Sequence, residues 1–221
     1  RGVIWYQGES NVGRAGQYSK LFPAMIDDWR DAWNEGDFPF YFVQIAPYDY
    51  GRPLECAELR EAQGAALQLP ATGMVITMDV GDPKDIHPVA KEPVGDRLAL
   101  LALKDVYGHD VVARAPVVRD AVTEGAALVL RFRGACLPLE TFDGSDPTHF
   151  ELAGEDRIYH PATAVVDGDS IRLSSEAVPV PVAVRYAWDD DAEPNLAGAC
   201  GLPVGPFRTD GWPRSTEDGP R

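Results

Sequence analysis

The stretch of sequence that decides the fold is Val-Ile-Trp-Tyr-Gln-Gly-Glu-Ser-Asn, residues 3–11. Its first half is a short, continuously apolar run, which is typical of a strand buried on both faces of a parallel sheet. Its second half is a polar turn that begins at Gln7. Ligands bind at the carboxyl ends of the strands in open parallel sheets. The stretch therefore predicts a core strand and, directly after it, a functional site.

The residues that follow repeat this arrangement of an apolar strand and a helix. The predicted strands cover residues 40–45 and 74–78, and the predicted helices cover residues 17–33, 55–67 and 94–107. Pro23 interrupts the first helical pattern, so we expect that helix to begin near it. Gly108 stands where a helix C-cap is expected. Apolar strands that are each followed by a helix indicate a parallel sheet covered on both faces.

Three such units are fewer than the roughly five strands of a flavodoxin-like sheet. We therefore interpret residues 1–108 as the C-terminal portion of an α/β domain of that type, a partial flavodoxin-like sheet. The chain begins with Arg1, directly before a core strand, and this start also leads us to expect further residues upstream.

Residues 109–212 have a different character, with frequent turn signals and no convincing helix. Residues 127–132 and 182–188 are predicted strands. Residues 164–173 surround Asp-Gly-Asp, which is typical of a hairpin. We interpret this half as a small β-sandwich domain. Residues 213–221 are polar and are predicted to form a flexible tail.

The composition excludes several classes of protein. With 20 basic and 35 acidic residues the net charge of the 221-residue chain is −15, which disfavours binding to nucleic acids and to anionic membranes. No apolar run reaches the ~18 residues of a membrane span. The cysteines, Cys56, Cys136 and Cys200, show no CxxC spacing, and their odd number argues against a disulfide scaffold while leaving one bridge open.

A second polar segment, Asp-Val-Gly-Asp-Pro-Lys-Asp-Ile-His-Pro at residues 79–88, follows the third predicted strand. It should lie at the same sheet edge as the first polar turn. His87 with Asp82 or Asp85 suits a general base and an orienting carboxylate. Simpler interpretations stay open: residues 8–11 suit a helix cap, and His87 suits an exposed loop. Asp79, Asp82 and Asp85 lack the spacing of an EF-hand, so a metal site is not favoured.

Taken together, the motifs resemble the sialate O-acetylesterase family of SGNH-type hydrolases. The matching segments run in family order and nearly span the chain: residues 5–11, 59–63, 81–88, 97–100, 184–188 and 206–210. The resemblance implies an α/β hydrolase core with attached β domains, and an O-acetylated sugar as substrate, sialic acid in the best-known members. It implies neither a metal nor an organic cofactor.

The resemblance also implies roles for individual residues. His87 would be the general base and Asp85 would orient it. The wider superfamily has Asp-x-x-His, but the residue three before His87 is Lys84, so Asp82 is kept as an alternative. The nucleophilic serine of the family lies in a Gly-Gln-Ser-Asn-type turn that this chain lacks. We therefore expect the nucleophile upstream of Arg1 and no activity in the isolated chain.

The polar turn that follows the first strand would bind the substrate. In the wider superfamily a Gly-x-Asn-Asp turn donates an amide to the oxyanion, and here Ser10 occupies the Asn position. Gln7 and Asn11 are therefore the candidate donors, with Gln7 preferred. Gly8 and Glu9 complete the candidate binding segment.

Two other functions stay open at this point. The chain could be a complete esterase with Ser10 as nucleophile, although Ser10 lacks the Gly-x-Ser-x-Gly pattern of a nucleophile elbow. It could instead be a carbohydrate-binding protein without activity, in which aromatic residues such as Trp188 and Trp212 contact the sugar.

Overall fold

The computed structural model describes residues 1–217, and the chain divides into two units. The first unit contains residues 1–113 and 189–191, together with the C-terminal segment from residue 213. The second unit contains residues 114–188 and 192–212. The sequence did not predict that residues 189–191 return to the first unit. The domain limits 1–108, 109–212 and 213–221 stay predictions.

The first unit contains a parallel sheet of three strands in the order β1-β2-β3. Its elements are β1 (Val3–Tyr6), α1 (Ala15–Trp33), β2 (Phe40–Val43), α2 (Glu55–Gly64), β3 (Thr72–Val75) and α3 (Glu92–Asp105). The apolar runs form strands because β2, the central strand, is buried at every position. The mixed α/β class predicted from the sequence is present.

The helices cover both faces of this sheet. Phe40 and Phe42 of β2 pack in the same core cluster as residues of α1 and α2. Tyr41 points to the opposite face and packs against Leu101 of α3. Alternate residues of one strand therefore serve two cores, which explains why the strand pattern is continuously apolar.

Three elements differ from the sequence prediction. Helix α1 runs through Pro23 instead of beginning near it, because the flanking Phe22 and Ile26 are buried and hold both turns in place. Strand β3 ends at Val75, earlier than predicted. Beyond that point the Thr77 hydroxyl donates to the Gln44 carbonyl at 2.6 Å, which takes the place of the backbone hydrogen bonds between β2 and β3. Helix α3 ends at Asp105 with Val106 as its C-cap, earlier than predicted, and Gly108 adopts a left-handed φ of 70° two residues beyond that cap.

The second unit consists of antiparallel sheets. Its strands are β4 (Val117–Glu124), β5 (Ala127–Arg133), β6 (Leu139–Thr141), β7 (Phe150–Ala153), β8 (Tyr159–Pro161), β9 (Thr163–Asp167), β10 (Ser170–Ser174), β11 (Ala183–Tyr186), β12 (Leu196–Gly198) and β13 (Phe207–Arg208). They form sheets with the orders β4-β5-β10-β9, β13-β11-β7-β8 and β12-β6. The predicted hairpin is the β9–β10 pair.

The two four-stranded sheets touch where the ring of Phe132 in β5 lies 6.1 Å from that of Phe207 in β13. This contact agrees with the sandwich interpretation, which stays a prediction. Cys136 and Cys200 form a disulfide, the single bridge that the odd number of cysteines left open, and Cys56 is buried and free.

The C-terminal segment that was predicted to be flexible begins with residues that contact α2. The backbone N–H groups of Ser215 and Thr216 donate to the Glu58 carboxylate at 2.7 and 2.9 Å. Arg214 donates to Glu61 at 2.6 Å. These bonds attach residues 214–216 to the first unit, and residues 218–221 of the predicted tail lie outside the described residues. Over residues 1–217, none of the helices is long and apolar enough for a membrane crossing.

Candidate active site

The carboxyl ends of β1, β2 and β3 lie at one edge of the sheet because all three strands are parallel. The Gln7–Asn11 turn follows β1, and the loop of residues 79–88 lies a few residues beyond the end of β3. The two polar segments predicted from the sequence are therefore at the same end of the sheet, on either side of β2.

The amide of Gln7 is held by two neighbours. Its Oε1 accepts a hydrogen bond from the Tyr18 hydroxyl at 3.2 Å, and its Nε2 donates to the Asn11 Oδ1 at 2.7 Å. Asn11 uses its oxygen in this contact, and its Nδ2 group has no hydrogen-bond partner within residues 1–217. The turn therefore presents the Asn11 amide as a donor, while Gln7 orients it.

Tyr18 can serve as the fixed donor because it stays protonated. Burial, with a smaller effect of the Glu9 carboxylate, raises the pKa of Tyr18 to about 12. The same two causes raise the pKa of Tyr6 to about 12. Both phenols are neutral near neutral pH, so the contact to Gln7 does not change with protonation in that range.

Gly8 is required by close packing at the start of the turn. A Cβ atom there would lie 2.8 Å from the Ile45 Cγ2 and 3.1 Å from the Gln63 Nε2. The next residues form a single 3-10 turn, Glu9–Asn11, in which Glu9 is half-buried and Ser10 is exposed. The predicted binding residues are thus positioned against the end of β2.

The second polar segment is anchored at its start by an ion pair. Arg97 of α3 donates to both carboxylate oxygens of Asp79, at 2.7 and 2.5 Å, and to the Ile76 carbonyl at 2.8 Å. Since both oxygens of Asp79 are occupied by the guanidinium group, this carboxylate holds the loop to α3 and is not free to bind a ligand.

The same loop packs against the segment that follows β2. A Cβ atom on Gly81 would lie 2.5 Å from the Pro47 Cδ, so only glycine permits this approach. The Asp49 N–H donates to the Pro83 carbonyl at 3.0 Å. The loops after β2 and β3 therefore form one layer at the edge of the sheet.

His87 lies beside Asp85 at the end of this loop. The His87 Nδ1 is 3.7 Å from the Asp85 Oδ1, which also accepts the His87 backbone N–H at 2.8 Å. Asp82 instead accepts the Lys84 N–H at 2.8 Å, and no carboxylate of residues 1–217 other than Asp85 comes within 4 Å of the His87 ring. The His87 and Asp85 side chains are 89% and 55% exposed.

This geometry can support proton transfer by an imidazole that a carboxylate orients. A carboxylate beside Nδ1 favours the tautomer with the proton on Nδ1, which leaves Nε2 free to accept a proton. The separation of 3.7 Å is longer than a hydrogen bond, and a movement of the imidazole by less than about 1 Å would bring Nδ1 within hydrogen-bond distance of Asp85.

Helix α2 contributes two buried polar residues to which the sequence assigned no role. Gln63 is fully buried; its Nε2 donates to the Gln7 and Val43 carbonyls, each at 3.2 Å, and its Oε1 accepts the Ile45 N–H at 2.9 Å. Arg60 is also fully buried and donates to four backbone carbonyls, those of Ile45, Ala46, Asp189 and Asp190. The sequence held a signal for these two buried residues, because α2 is polar although it lies between apolar strands.

Asp190 contacts the other end of α2, where the helix begins. Its carboxylate accepts the backbone N–H groups of Arg52 and Cys56, each at 3.1 Å, and so caps the start of α2. Burial raises the pKa of Asp190 above the ordinary range of an aspartate, and burial likewise raises the pKa of the Cys56 thiol to about 11. The Cys56 thiol is therefore protonated and unsuited to act as a nucleophile.

Other predicted or alternative sites find less support. In the part of the chain that the structure describes, no three His, Cys, Asp or Glu side chains cluster so as to hold a metal ion. Trp188 is buried at 4% exposure beneath the guanidinium groups of Arg185 and Arg208, so its ring cannot stack on a sugar. Arg157 lies over the ring of Trp212.

Comparisons with known proteins converge on one group of enzymes. Residues 1–104 match the family described as carbohydrate esterase, sialic acid-specific acetylesterase. The sialate O-acetylesterases of Mus musculus and Homo sapiens are 36% and 35% identical to this chain in an alignment of 133 positions that covers 49% of the chain. The crystal structure of a carbohydrate acetylesterase from Xanthomonas citri is 43% identical and superposes with a TM-score of 0.90 over 96% of the chain.

The chain spans a part of each relative. It covers 24% of the mouse and 25% of the human enzyme, and 50% of the Xanthomonas citri structure. The likeness to that structure extends over both units of this chain, whereas the family match is confined to residues 1–104.

Proposed function

We propose that this chain, whose residues 1–104 belong to the sialic acid-specific acetylesterase family of carbohydrate esterases, carries the acid–base half of a serine-type esterase site. The reaction is the removal of O-acetyl groups from sialic acid or a related sugar. The observation that carries the proposal is the Asp85–His87 pair, which lies at the same sheet edge as the Gln7–Asn11 turn.

In the proposed reaction His87 accepts the proton of the nucleophilic hydroxyl as it attacks the acetyl carbonyl. It then returns that proton to the departing sugar oxygen. Asp85 fixes the imidazole tautomer and stabilises the imidazolium that forms. Its distance of 3.7 Å from the His87 Nδ1 supports Asp85 over Asp82 in this role.

The negative charge that develops on the carbonyl oxygen requires a hydrogen-bond donor. Asn11 suits this role because its Nδ2 group is unoccupied, whereas both ends of the Gln7 amide are engaged. We therefore assign the donor to Asn11 and an orienting role to Gln7, which reverses the preference derived from the sequence. Losing one such donor costs about 3–4 kcal/mol of transition-state stabilisation in a comparable enzyme site.

The nucleophile in this proposal comes from a segment that is not among residues 1–221. Ser10 lies on the exposed side of a single 3-10 turn and lacks the glycine pattern of a nucleophile elbow. The outer edge of β1, along which no strand of residues 1–217 pairs, suits the addition of further parallel strands. The isolated chain is then an incomplete enzyme without activity.

The experiment measures acetate release from an O-acetylated sialic acid and from an activated acetyl ester. It compares the full-length protein that contains this chain with residues 1–221 alone. In the full-length protein we expect His87→Ala to lower kcat by about 10⁴-fold or more. Because His87 is 89% exposed, the thermal midpoint should not change. Lys84→Ala is the matched control in the same loop.

Three outcomes contradict the proposal in different ways. Full acetate release by His87→Ala removes the acid–base assignment. If residues 1–221 alone release acetate and Ser10→Ala abolishes that release, the chain is a complete esterase with Ser10 as its nucleophile. Binding of an acetylated sugar without acetate release by the full-length protein favours a carbohydrate-binding protein.

A further inference from the structure

The segments that flank the site are both tied to the same short piece of backbone. Gln63 links the Gln7 carbonyl, at the end of β1, to the Val43 carbonyl and the Ile45 N–H, just beyond β2. The link is internal to the fold, because Gln63 is fully buried. Gln63 therefore adds a buried side-chain link between the Gln7–Asn11 turn and residues 43–45, beside the backbone pairing of β1 with β2.

Thr77 makes the corresponding link on the other side of β2. Its hydroxyl donates to the Gln44 carbonyl at 2.6 Å, and Thr77 is also fully buried. The Val80 N–H in turn donates to the Thr77 carbonyl at 3.3 Å, where the loop that carries His87 begins. The Thr77 hydroxyl therefore ties the start of that loop to residue 44, in addition to the Asp49–Pro83 hydrogen bond further along the loop.

We infer that Gln63 and Thr77 are positioning residues, which hold the Gln7–Asn11 turn and the His87 loop in register through the backbone of residues 43–45. The inference rests on the proposed function, since it assigns the two residues a part in that reaction. Neither residue touches the reacting atoms. Their effect arises because displacing a catalytic group by about 1 Å can cost about 100-fold in rate.

The chain provides a matched control on the same strand. The Thr72 hydroxyl, at the amino end of β3, donates to the Ala66 and Leu69 carbonyls at 3.1 and 2.9 Å. Thr72→Val and Thr77→Val thus remove the same group from opposite ends of the sheet. A merely structural role predicts similar effects of both on activity.

The first test measures kcat and KM for acetyl ester hydrolysis by the full-length protein. We expect Thr77→Val to lower kcat about 10- to 100-fold with KM changed less than about threefold. Thr77→Ser, which keeps the hydroxyl, should recover most of the rate. Thr72→Val should stay within about twofold of the wild type at a comparable loss of thermal midpoint, about 2–8 °C.

The second test does not depend on activity. Amide hydrogen exchange is measured on residues 1–221 at Asn11, whose N–H donates to the Gly8 carbonyl, and at Val80. If the backbone of residues 43–45 couples the two segments, Gln63→Met accelerates exchange at Val80 and Thr77→Val accelerates it at Asn11. Thr72→Val should change neither.

The outcomes separate this inference from the proposed function. Wild-type kcat in Thr77→Val and Gln63→Met, or exchange that accelerates only beside each substitution, overturns the inference and leaves the esterase proposal intact. A full-length wild type without acetate release overturns the esterase proposal, and the exchange measurement then still decides whether the coupling exists. If Gln63→Met does not fold, Thr77→Val decides both tests.

Discussion

The guanidinium group of Arg60 donates a 2.8 Å hydrogen bond to the backbone carbonyl of Asp190, 130 positions further along the chain. The same guanidinium reaches the carbonyls of Asp189, Ala46 and Ile45. A fully buried arginine with four carbonyl acceptors uses the fixed planar geometry of its donors, which a lysine cannot reproduce. Arg60 therefore joins the layer beneath the site to residues 189–191.

We expect Arg60→Lys to destabilise the first unit by about 3 kcal/mol or more, because several buried carbonyls lose their donors. Denaturant dependence of hydrogen exchange at the α2 amides measures this free energy of unfolding. Arg14→Lys is the control, because Arg14 is exposed and should cost less than about 0.5 kcal/mol. Equal stability of the two variants would show that the four contacts contribute nothing measurable.

The assignment of the oxyanion donor predicts unequal effects within the turn. Asn11→Leu removes the unoccupied amide group and should lower kcat of the full-length protein about 10²–10³-fold. Gln7→Met removes the residue that orients Asn11 and should cost less than about tenfold. Steady-state kinetics on both variants measure the difference. A larger loss in Gln7→Met would return the donor role to Gln7.

The lowered pKa of Asp210 lets us predict how the stability of the second unit changes at acidic pH. Burial favours the protonated form, but hydrogen bonds from Tyr159 and the Trp212 N–H, together with Arg185 and Arg208, outweigh burial and lower the pKa of Asp210. A carboxyl whose pKa is lower in the folded state stabilises that state above its unfolded pKa of about 3.9. This contribution is lost as the pH falls from there through the lowered pKa.

The measurement is the free energy of unfolding of wild type and Asp210→Asn between pH 7 and pH 2. We expect the wild type to be more stable by a constant amount above about pH 5, with the difference shrinking below about pH 4. The Tyr159 hydroxyl and the Arg208 guanidinium, at 2.6 and 2.8 Å from Asp210, lose a charged acceptor in the variant. A difference that grows on acidification would reverse the predicted sign.

We predict that separate copies of the chain associate through the outer edge of β1. Strand β1 pairs with β2 along one edge, and Ile4 is 70% exposed. Exposed strand edges with apolar side chains pair with other chains, and lysine suppresses such pairing. Ile4→Lys should therefore reduce self-association of residues 1–221 in analytical ultracentrifugation without lowering stability. Ile158→Lys, at a residue 56% exposed in the second unit, is the control and should change association little.

Local patterns were enough to predict the three strands of the first unit, strands β5, β9, β10 and β11 of the second unit, and the two polar segments of the candidate site, but not the remaining strands of the second unit. The apolar run of β2 follows from burial on both faces, whereas β1 carries a similar run although Ile4 is 70% exposed. The β9–β10 hairpin followed from its turn residues. The end of β3 could not be predicted, since it depends on a hydroxyl of Thr77 that reaches Gln44. Helix α1 runs through Pro23 because tertiary packing outweighs a local preference.

The orientation of side chains in the site also lay beyond sequence patterns. The sequence favours Asp85 as the orienting carboxylate and leaves Asp82 as an alternative, and only the course of the loop shows that Asp85 lies beside His87. The preference for Gln7 over Asn11 changed because the Gln7 Nε2 donates to the Asn11 oxygen, while Tyr18, in the first turn of α1, donates to the Gln7 oxygen.

Because residues 189–191 belong to the first unit, the order in which the chain is synthesised affects when the contacts of that unit form. The cap of α2 joins Cys56 to Asp190, so the helix emerges from the ribosome 134 positions ahead of its cap. At about 5–20 residues per second this interval lasts on the order of ten seconds. Residues 114–188 are synthesised during this interval, and the donors of Arg60 and of the Arg52 and Cys56 N–H groups meet their acceptors at residues 189–190 only after it. The second unit is thus an insertion, and the network that joins α2 to residues 189–190 is completed only once residues 114–188 have been translated.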